Sequence, residues 1–438
     1  VAGGTIEINE GGDSNNKALH AGGTGNILLK TKTNNIQINE SATLLSDSGH
    51  ITIVAANDIN QLSNANISTT SGSIDLKALA GSITMNDNAL INTETDNIRL
   101  WAEDDIKLGG LKADTGSISI TSLNGNILDN GDKFKDIKAV ALKMIAGIGI
   151  GTLGSENDEA IDISVEKLTA HAGSGGINIL EVDDIEINTI GGISLFEDDD
   201  IVLSDVAVTM NVVNPDSTIH IEEFAIQSDL MTSENGSIVL TTQDGSISIH
   251  DGFAPDDGVG INADGTGNIL IQAQGEDHNI TFDANIISDK GNISIIASDS
   301  INQKADISTS GGTIDLEATT GSIIMDDGTT TFGTENIRYN AKTDLSLGVI
   351  STTADVSLLA ESIIDSGNAE IDIIADALRI ITTGTNDGDG AGFSSNHIET
   401  NINLLAADIH GTNSGGLFIT ETNAITIDQL NAIAVNLV

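Results

Sequence analysis

Runs of acidic side chains are the feature of this sequence best suited to chemistry. Hard cations such as Ca²⁺ bind about six to eight oxygen atoms, and carboxylates in turns supply them. The sequence predicts weak Ca²⁺ ligation at three runs, which contain Asp198, Asp199, Asp200, Asp256, Asp257, Asp387 and Asp389. None of these runs matches an EF-hand loop or a Gly-Gly-x-Gly-x-Asp repeat, so each run alone also fits a solvated acidic corner. Ca²⁺ is therefore expected as a stabilising ion and not as a required cofactor.

Catalytic chemistry has little support in the same residues. Enzymes that cleave polysaccharides use a defined pair of carboxylates, or a basic side chain beside Ca²⁺. Carboxylates are so frequent here that no pair stands out, and the chain has one Trp, one Tyr and eight Phe to hold sugar rings. Its eight His form no His-x-x-x-His or His-Glu-x-x-His pair. We therefore predict no catalytic residue and no enzymatic activity.

The charge of the chain excludes two classes of partner. Its 438 residues contain 65 Asp and Glu against 17 Lys and Arg, which gives a formal net charge of −48. Such a chain is repelled by phosphate backbones and by anionic membrane surfaces. No apolar run approaches the roughly 20 residues of a membrane-spanning helix. The sequence thus predicts no nucleic-acid partner and no membrane span in this segment, and the absence of Cys excludes disulfides and thiolate zinc sites.

A short sequence phrase recurs along the chain, and the elements that it forms must position the acidic side chains. It consists of Gly, a small polar residue, Ile, any residue, and then Ile, Leu or Met, as at Gly25, Gly49, Gly72, Gly81, Gly116, Gly236, Gly245, Gly267, Gly291, Gly312 and Gly321. Each phrase is a turn followed by strict apolar and polar alternation, which is typical of a strand with one buried face. The spacing predicts an all-β fold, a right-handed parallel β-helix (β-solenoid) of about 20 coils with roughly 20–22 residues each.

A longer repeat lies on top of the coils, since many phrases return about 240 residues later. We predict one module copy at 1–240 and a truncated second copy at 241–438, within one continuous solenoid that is a fragment of a longer array. Residues 195–235 are the least regular and are the place where an excursion would leave the coils. The last residues, 433–438, are expected to match the strand around Ile193. Residues 133–144 have helical spacing, but their repeat partner at 370–381 alternates, so both are predicted to be strands.

The repeats resemble the shaft of filamentous-haemagglutinin-type exoproteins, which are giant bacterial surface adhesins. The resemblance rests on the Gly-Ser-Ile-x-Ile/Leu phrases, on Ala141–Gly151 and on Gly-Gly-Ile-Asn-Ile-Leu at 175–180. It implies a β-helical shaft that is exported to the cell surface or the extracellular space and serves adhesion or biofilm formation. Its partners would be the neighbouring repeats of the same polypeptide, and a host or matrix surface bound through other regions.

Two other functions remain open from the sequence. A carbohydrate-binding or polysaccharide-degrading β-helix would need an irregular loop with basic and aromatic side chains, for which 195–235 is the one place. A self-assembling extracellular filament or sheath would use exposed strand edges, although the charge of −48 opposes close packing without cations.

Overall fold

The chain folds into stacked parallel strands. The computed structural model describes residues 1–10, 17–86, 88–131, 135–154, 159–191, 209–223, 225–253, 256–367, 371–412 and 415–438. These residues contain no α-helix, and their strands make about 16 turns of a β-solenoid. The prediction of an all-β parallel solenoid is confirmed. None of the described residues belongs to a helix that is long and apolar enough to span a membrane.

Contacts divide the chain into two compact units. Unit 1 comprises 1–182, 187–230 and 252–256, and unit 2 comprises 183–186, 231–251 and 257–438. In both units a coil consists of three short strands, which we call sides 1, 2 and 3 in chain order. The predicted module boundary at 240 concerns the sequence repeat and stays a prediction.

Unit 1 stacks strands of the same side in parallel register. Side 1 consists of Ile6–Ile8, Ile36–Ile38, Ile59–Gln61, Ile83–Met85, Ile106–Lys107, Ile127–Leu128 and Gly149–Ile150. Side 2 consists of Lys17–Ala21, Thr43–Ser46, Asn66–Thr69, Leu90–Thr93 and Gly110–Ala113. Side 3 consists of Ile27–Lys30, Ile51–Ala55, Ile74–Ala78, Ile98–Ala102 and Ser117–Ser122. Two long strands then cover sides 2 and 3 together, Ile137–Ala146 and Ile161–Ala172. The strand Gly176–Glu181 follows. The next strand, Ile185–Ile187, has its first two residues in unit 2 and its last in unit 1.

Unit 2 repeats this organisation after the strand Leu230–Thr232. Side 1 consists of Ile247–Ile249, Ile280–Phe282, Ile301–Gln303, Ile323–Met325, Asp344–Leu347 and Ser362–Asp365. Side 2 consists of Val259–Ala263, Asn285–Ser288, Ile307–Thr309, Thr330–Phe332, Val349–Ser351, Ile373–Ile374, Ile398–Asn401 and Ile419–Glu421. Side 3 consists of Ile238–Thr242, Ile269–Ala273, Ile293–Ala297, Ile314–Ala318, Ile337–Ala341, Asp355–Ala360, Ala377–Thr382, Leu404–Ile409 and Thr426–Ile427.

The prediction of about 20 coils of roughly 20–22 residues was wrong, because the coils are longer and less uniform. Corner side chains hydrogen-bond to the equivalent corner of the next coil, and the sequence separation of each such pair gives the coil length. This separation is 19 residues for Asn336 and Asp355, 24 for Asn26 and His50, and 31 for Ser237 and Asn268. Insertions at the corners lengthen a coil without disturbing the stacked strands.

Inward-facing Ile and Leu side chains form the core of each unit. On side 3 of unit 2, for example, Ile269 pairs with Ile293, which pairs with Ile314. All three are fully buried. β-branched side chains suit this position because they pack on the pleated surface with little loss of rotamer freedom. A core of small, identical side chains explains why the sequence needs few aromatic residues.

A Ser or Thr three residues before the corner Gly holds successive coils together. Thr309 Oγ1 donates to Gly291 O at 2.9 Å and accepts from Gly312 N at 3.2 Å. Ser46 does the same in unit 1, between Gly25 O at 2.8 Å and Gly49 N at 2.7 Å. The hydroxyl therefore satisfies two buried backbone groups, one in each coil.

The segments predicted as strands against their helical spacing are strands where they are described. Ile137–Ala146 pairs with Ser117–Ser122, and Ala377–Thr382 pairs with Asp355–Ala360. Tertiary stacking thus overrides the local helical pattern, because a helix there would leave the neighbouring strand edges unpaired.

A hairpin lies outside the stacked strands, within the segment that the repeats leave unmatched. Thr209–Val213 and Ile219–Glu223 form an antiparallel pair of their own. Asn214-Pro215-Asp216-Ser217 makes the turn, with Pro at the position that favours its fixed φ and Ser217 at a φ of 67°. The Asp216 carboxylate accepts hydrogen bonds from Thr218 N at 3.1 Å and Thr218 Oγ1 at 2.6 Å. This hairpin belongs to unit 1.

One buried aromatic side chain distinguishes the two units. Tyr339 is fully buried where the core would otherwise take Leu, since it pairs with Leu316 and Leu358. Its hydroxyl donates to Gln303 Oε1 at 2.9 Å and bonds to Thr331 Oγ1 at 2.6 Å. The corresponding Gln61 of unit 1 has no such phenol, and its Oε1 is buried without a hydrogen-bond partner among the described residues.

We expect Tyr339→Phe to destabilise unit 2 by about 1–3 kcal/mol, because the change leaves Gln303 Oε1 buried and unsatisfied. Chemical denaturation measures the loss. The double variant Tyr339→Leu with Gln303→Leu removes both partners, so it leaves no unsatisfied group of this pair. Its free energy of unfolding should fall by less than the loss of the hydrogen bonds would suggest. A Tyr339→Phe variant as stable as the parent would show that the hydroxyl contributes nothing.

Candidate metal centre

The predicted Ca²⁺ ligands do not converge where they are described. Asp198, Asp199 and Asp200 lie outside the described residues. Asp256 and Asp257 are exposed, and Asp257 Oδ1 accepts from Val259 N at 3.0 Å within its own turn. Asp387 and Asp389 share another turn, in which Asp389 Oδ2 accepts from Asn386 N at 2.6 Å. Ligation by these residues stays a prediction.

Three other acidic side chains do meet, in unit 2. The carboxylate oxygens of Asp365, Asp372 and Glu399 lie within 4.8 Å of one another. Asp365 ends a strand of side 1, and Asp372 directly precedes the following strand of side 2. Glu399 comes from the next coil, where Thr400 pairs with Ile373. Stacking therefore brings together residues that are far apart in the chain.

Backbone hydrogen bonds fix this acidic triad in place. Asp372 N donates to Glu399 O at 2.9 Å, and Glu399 N donates to Asp372 Oδ2 at 2.7 Å. Gly367 N donates to Asp365 Oδ1 at 2.7 Å. The other oxygen, Asp365 Oδ2, is buried without a hydrogen-bond partner among the described residues, and Asp365 as a whole is 8% exposed. A cavity of about 10 Å³, roughly the size of one water, lies against Asp365 and Asp372.

The triad cannot carry three negative charges without compensation. The pKa of Asp372 is raised to about 8, mainly by burial. The charges of Asp365 and Glu399 also raise it, whereas the hydrogen bond from Glu399 N lowers it. At neutral pH a proton on Asp372 or a bound cation would relieve this repulsion. Oxygen-only ligands suit a hard divalent ion such as Ca²⁺ or Mg²⁺.

A related set of acidic residues, Asp129, Asp136 and Asp162, occurs in unit 1 with the same backbone hydrogen bonds, although among the described residues the mutual approach of three carboxylates within 4.8 Å is found in the unit 2 triad. Asp136 N donates to Asp162 O at 2.9 Å, and Asp162 N donates to Asp136 Oδ2 at 2.9 Å. These bonds have the same donors and acceptors as those between Asp372 and Glu399. Burial, together with the charges of Asp129 and Asp162, raises the pKa of Asp136 to about 9.

The two triads differ in their surroundings. In unit 1 a cavity of about 280 Å³ lies beside Asp129 and is also lined by Lys107 and Glu159. Ser346 occupies the position of Lys107 in unit 2. Lys107 pairs with Thr84 of the preceding side 1 strand, and Ser346 pairs with Ile324 in the same way. The unit 2 triad thus lacks this nearby ammonium group, which makes it the stronger candidate for a cation.

Sequence reasoning missed both triads, although a signal was present. Ile-Leu-Asp-Asn-Gly at 127–131 returns as Ile-Ile-Asp-Ser-Gly at 363–367, and in both copies an Asp-Ile pair follows at the same distance. The prediction considered runs of adjacent carboxylates. The triads instead combine isolated acidic residues from successive coils, and only the strand register shows that they meet.

Comparison with known proteins does not identify the chain. No protein-family model, no curated protein and no solved structure matches it.

Without metal, we expect the free energy of unfolding to fall as the pH rises from about 4 to about 9. The folded chain retains protons on Asp136 and Asp372 that the unfolded chain releases near the ordinary pKa of 3.8, so a rising pH favours unfolding over this range. Millimolar Ca²⁺ should remove most of this decline, because it replaces the protons. Thermal melts in chelated and Ca²⁺-containing buffers measure both effects.

Asparagine variants separate this site from the predicted acidic runs. Asp136→Asn with Asp372→Asn mimics the protonated carboxyls and should remove most of the response of the melting temperature to pH and to Ca²⁺ across this range. Asp256→Asn with Asp257→Asn is the matched control and should respond like the parent. A Ca²⁺ response that is lost in the control and retained in the triad variant would contradict the assignment.

Proposed function

We propose that the chain is a structural shaft segment of a large extracellular protein, such as a cell-surface adhesin or fibre. One observation carries the proposal: polar side chains at the corners bond to the equivalent corner of the next coil. Ser46 and Thr309 bridge two glycine corners each, and Asn26 accepts from the backbone of His50 at 2.8 Å. These corner side chains are thus used for contacts between coils.

Such a construction suits a mechanical role. Each coil contacts its neighbours along the stack, so the length of the array can change without altering any single contact. Inward Ile ladders and outward corner bonds recur in both units, so the coils that carry them are similar load-bearing elements. The resemblance of the repeats to filamentous-haemagglutinin-type shafts supports an extracellular place at a bacterial surface.

The negative charge fits the same proposal. A net charge of −48 spread over about 16 turns amounts to three per turn. It keeps neighbouring shafts apart at low salt and makes their spacing depend on cations. Millimolar divalent cations outside the cell would both neutralise the acidic triads and screen the remaining charge.

Electron microscopy of the purified native protein tests the proposal. A shaft predicts single unbranched rods of uniform width, with any binding region at a tip. Regular bundles would support the self-assembling filament instead, and compact particles that bind polysaccharide would support the carbohydrate-binding β-helix. Either of these two results would contradict the shaft.

A further inference from the structure

The corner that precedes a side 3 strand carries a hydrogen bond from coil to coil. The side chain at this position accepts a bond from the backbone N–H at the same position of the next coil. In unit 2, Asn268 Oδ1 accepts from Asn292 N at 2.8 Å, and Asn292 Oδ1 accepts from Thr313 N at 3.0 Å. An amide oxygen keeps its lone pairs at mildly acidic pH, so these bonds do not respond to acid.

In unit 1 the same position contains a histidine. Asn26 Oδ1 accepts from His50 N at 2.8 Å, and His50 Nδ1 accepts from Ser73 N at 3.0 Å. His50 thus takes the role that Asn268 and Asn292 have in unit 2. An imidazole nitrogen accepts a hydrogen bond only when it carries no proton, so this bond requires the neutral ring with its proton on Nε2.

Protonation of His50 would place two donors against each other. The imidazolium has an N–H at both ring nitrogens, and its Nδ1 proton would point at the N–H of Ser73. Ser73 has no exposed surface, so its N–H has no access to water in this position. A buried donor that loses its acceptor is costly, and the ring and the next coil must therefore move apart.

The hairpin of unit 1 binds to the same serine. Ser73 Oγ donates to Asn211 O at 2.8 Å and lies 3.0 Å from His50 Nδ1. One coil earlier, Val213 N donates to Thr52 Oγ1 at 2.9 Å. A shift of Ser73 relative to His50 would therefore reach the first strand of the hairpin through the serine hydroxyl.

Asp96, at the corner two coils further along, is the charged group that acts on His50. Its carboxylate accepts from Asn97 N at 2.7 Å and from the side chain of Asn211. Burial lowers the pKa of His50, and the attraction of Asp96 opposes this as the smaller effect. Burial also raises the pKa of Asp96. The environment of His50 thus favours the neutral ring that the bond to Ser73 requires.

Charged groups elsewhere under the hairpin pair with one another. Lys77 Nζ lies 3.0 Å from Glu222 Oε2, and Arg99 bonds both to that carboxylate and to Asp75. His220 Nε2 lies 3.1 Å from Glu222 Oε1. Partial burial acts to raise the pKa of Glu222, but hydrogen bonds from Lys77 and Arg99 lower it to about 2. Glu222 therefore stays ionised over the range in which a histidine titrates.

We propose that His50 is an acid-sensitive connection between coils of unit 1, whose protonation opens the corner at Ser73 and loosens the hairpin bound there. The open corner takes up a proton more readily, because burial lowers the pKa of His50 in the closed one. The connection is therefore complete above about pH 6.5, the ordinary pKa of histidine, and weakens as the pH falls below it. The proposal is independent of the shaft function.

Hydrogen exchange at the Ser73 and Val213 amides, at about pH 7.5 and about pH 5, tests this on the intact chain. Protection factors are compared, since they remove the intrinsic effect of pH on exchange. We expect both to fall about fivefold in acid, the size expected for the loss of one hydrogen bond. A global melt is less suited, because protons on Asp136 and Asp372 are expected to stabilise the chain as the pH falls.

His50→Asn is the decisive variant, because Asn accepts the equivalent bond in other coils. The protection factors of Ser73 and Val213 should then no longer depend on pH. His220→Asn is the matched control, since His220 is exposed and bonds to Glu222 instead of a backbone N–H. It should respond to acid like the parent. Constant protection of Ser73 in the parent, or an acid response that persists in His50→Asn, would overturn the proposal.

Ser73→Ala separates the corner from the hairpin. It removes the hydroxyl and keeps the backbone N–H, so the amide at position 73 should still respond to acid while that of Val213 should not. If Val213 still responds in this variant, the hydroxyl does not link the hairpin to His50. A parent in which Ser73 responds and Val213 does not would likewise overturn the loosening of the hairpin.

Discussion

Gly312→Ala should destabilise unit 2 by at least about 3 kcal/mol, the upper range of overpacking effects in proteins. A Cβ atom at Gly312 would lie 1.9 Å from Gly291 O and 2.3 Å from its carbonyl carbon. Backbone atoms of the neighbouring coil cannot yield as a flexible side chain does. The coils would have to separate, which breaks the bonds of Thr309 to both glycines and the adjacent strand pairing.

Hydrogen exchange of the coils on either side of Gly312 localises this effect better than a melting curve, because a repeat array can open locally. Gly333→Ala is the matched control in the same unit. Its added Cβ would lie 3.4 Å from Ile337 Cδ1, an ordinary contact. Similar exchange in both variants would show that the corner glycines tolerate a side chain, and would contradict the close approach of neighbouring coils at these corners.

Arg99→Met should release the hairpin and destabilise unit 1 by about 3–5 kcal/mol, as expected when one partner of a buried ion pair is removed. The Arg99 side chain is 9% exposed, donates to Asp75 Oδ1 at 2.7 Å, and also bonds to Glu222 in the second strand of the hairpin. Asp75 has no exposed side-chain surface. Without the guanidinium, Asp75 would be a buried charge near Glu222, with Lys77 as the remaining cation.

Protease cleavage in the turn at 214–217 and exchange of the 209–213 amides measure the release. Arg99→Met combined with Asp75→Asn removes both buried charges and should recover part of the loss. Arg338→Met tests the same pair in unit 2 and should leave the hairpin protected. If Arg99→Met leaves the hairpin as resistant as in the parent, the ion pairs do not hold it.

Much of the fold follows from the sequence because one strand pattern recurs at every coil. Ile74, Ile98 and Ile314 each follow a small polar residue and each lie in the core, so alternation alone identifies the buried face. The coil length does not follow, since corner insertions change the spacing from 19 to 31 residues while the stacking stays in register. The spacing between glycines therefore underestimates the number of residues in a coil.

The candidate site was harder to predict, because its residues come from different coils. Asp372 and Glu399 are adjacent only through the pairing of Ile373 with Thr400. Adjacent carboxylates such as Asp256 and Asp257 are conspicuous in the sequence, yet they are exposed to solvent, where an ionised carboxylate costs little free energy. A buried carboxylate is informative for the opposite reason, since its charge requires a proton or a cation.

Pulling single molecules by their two ends tests the central claim, that the polar groups of this chain connect coils into a load-bearing stack. The account predicts a series of rupture events, each lengthening the chain by one or a few coils. A coil of 24 residues would release on the order of 80 Å at roughly 3.3 Å per residue. Smooth extension without rupture events, as for an unfolded polymer, would contradict the account.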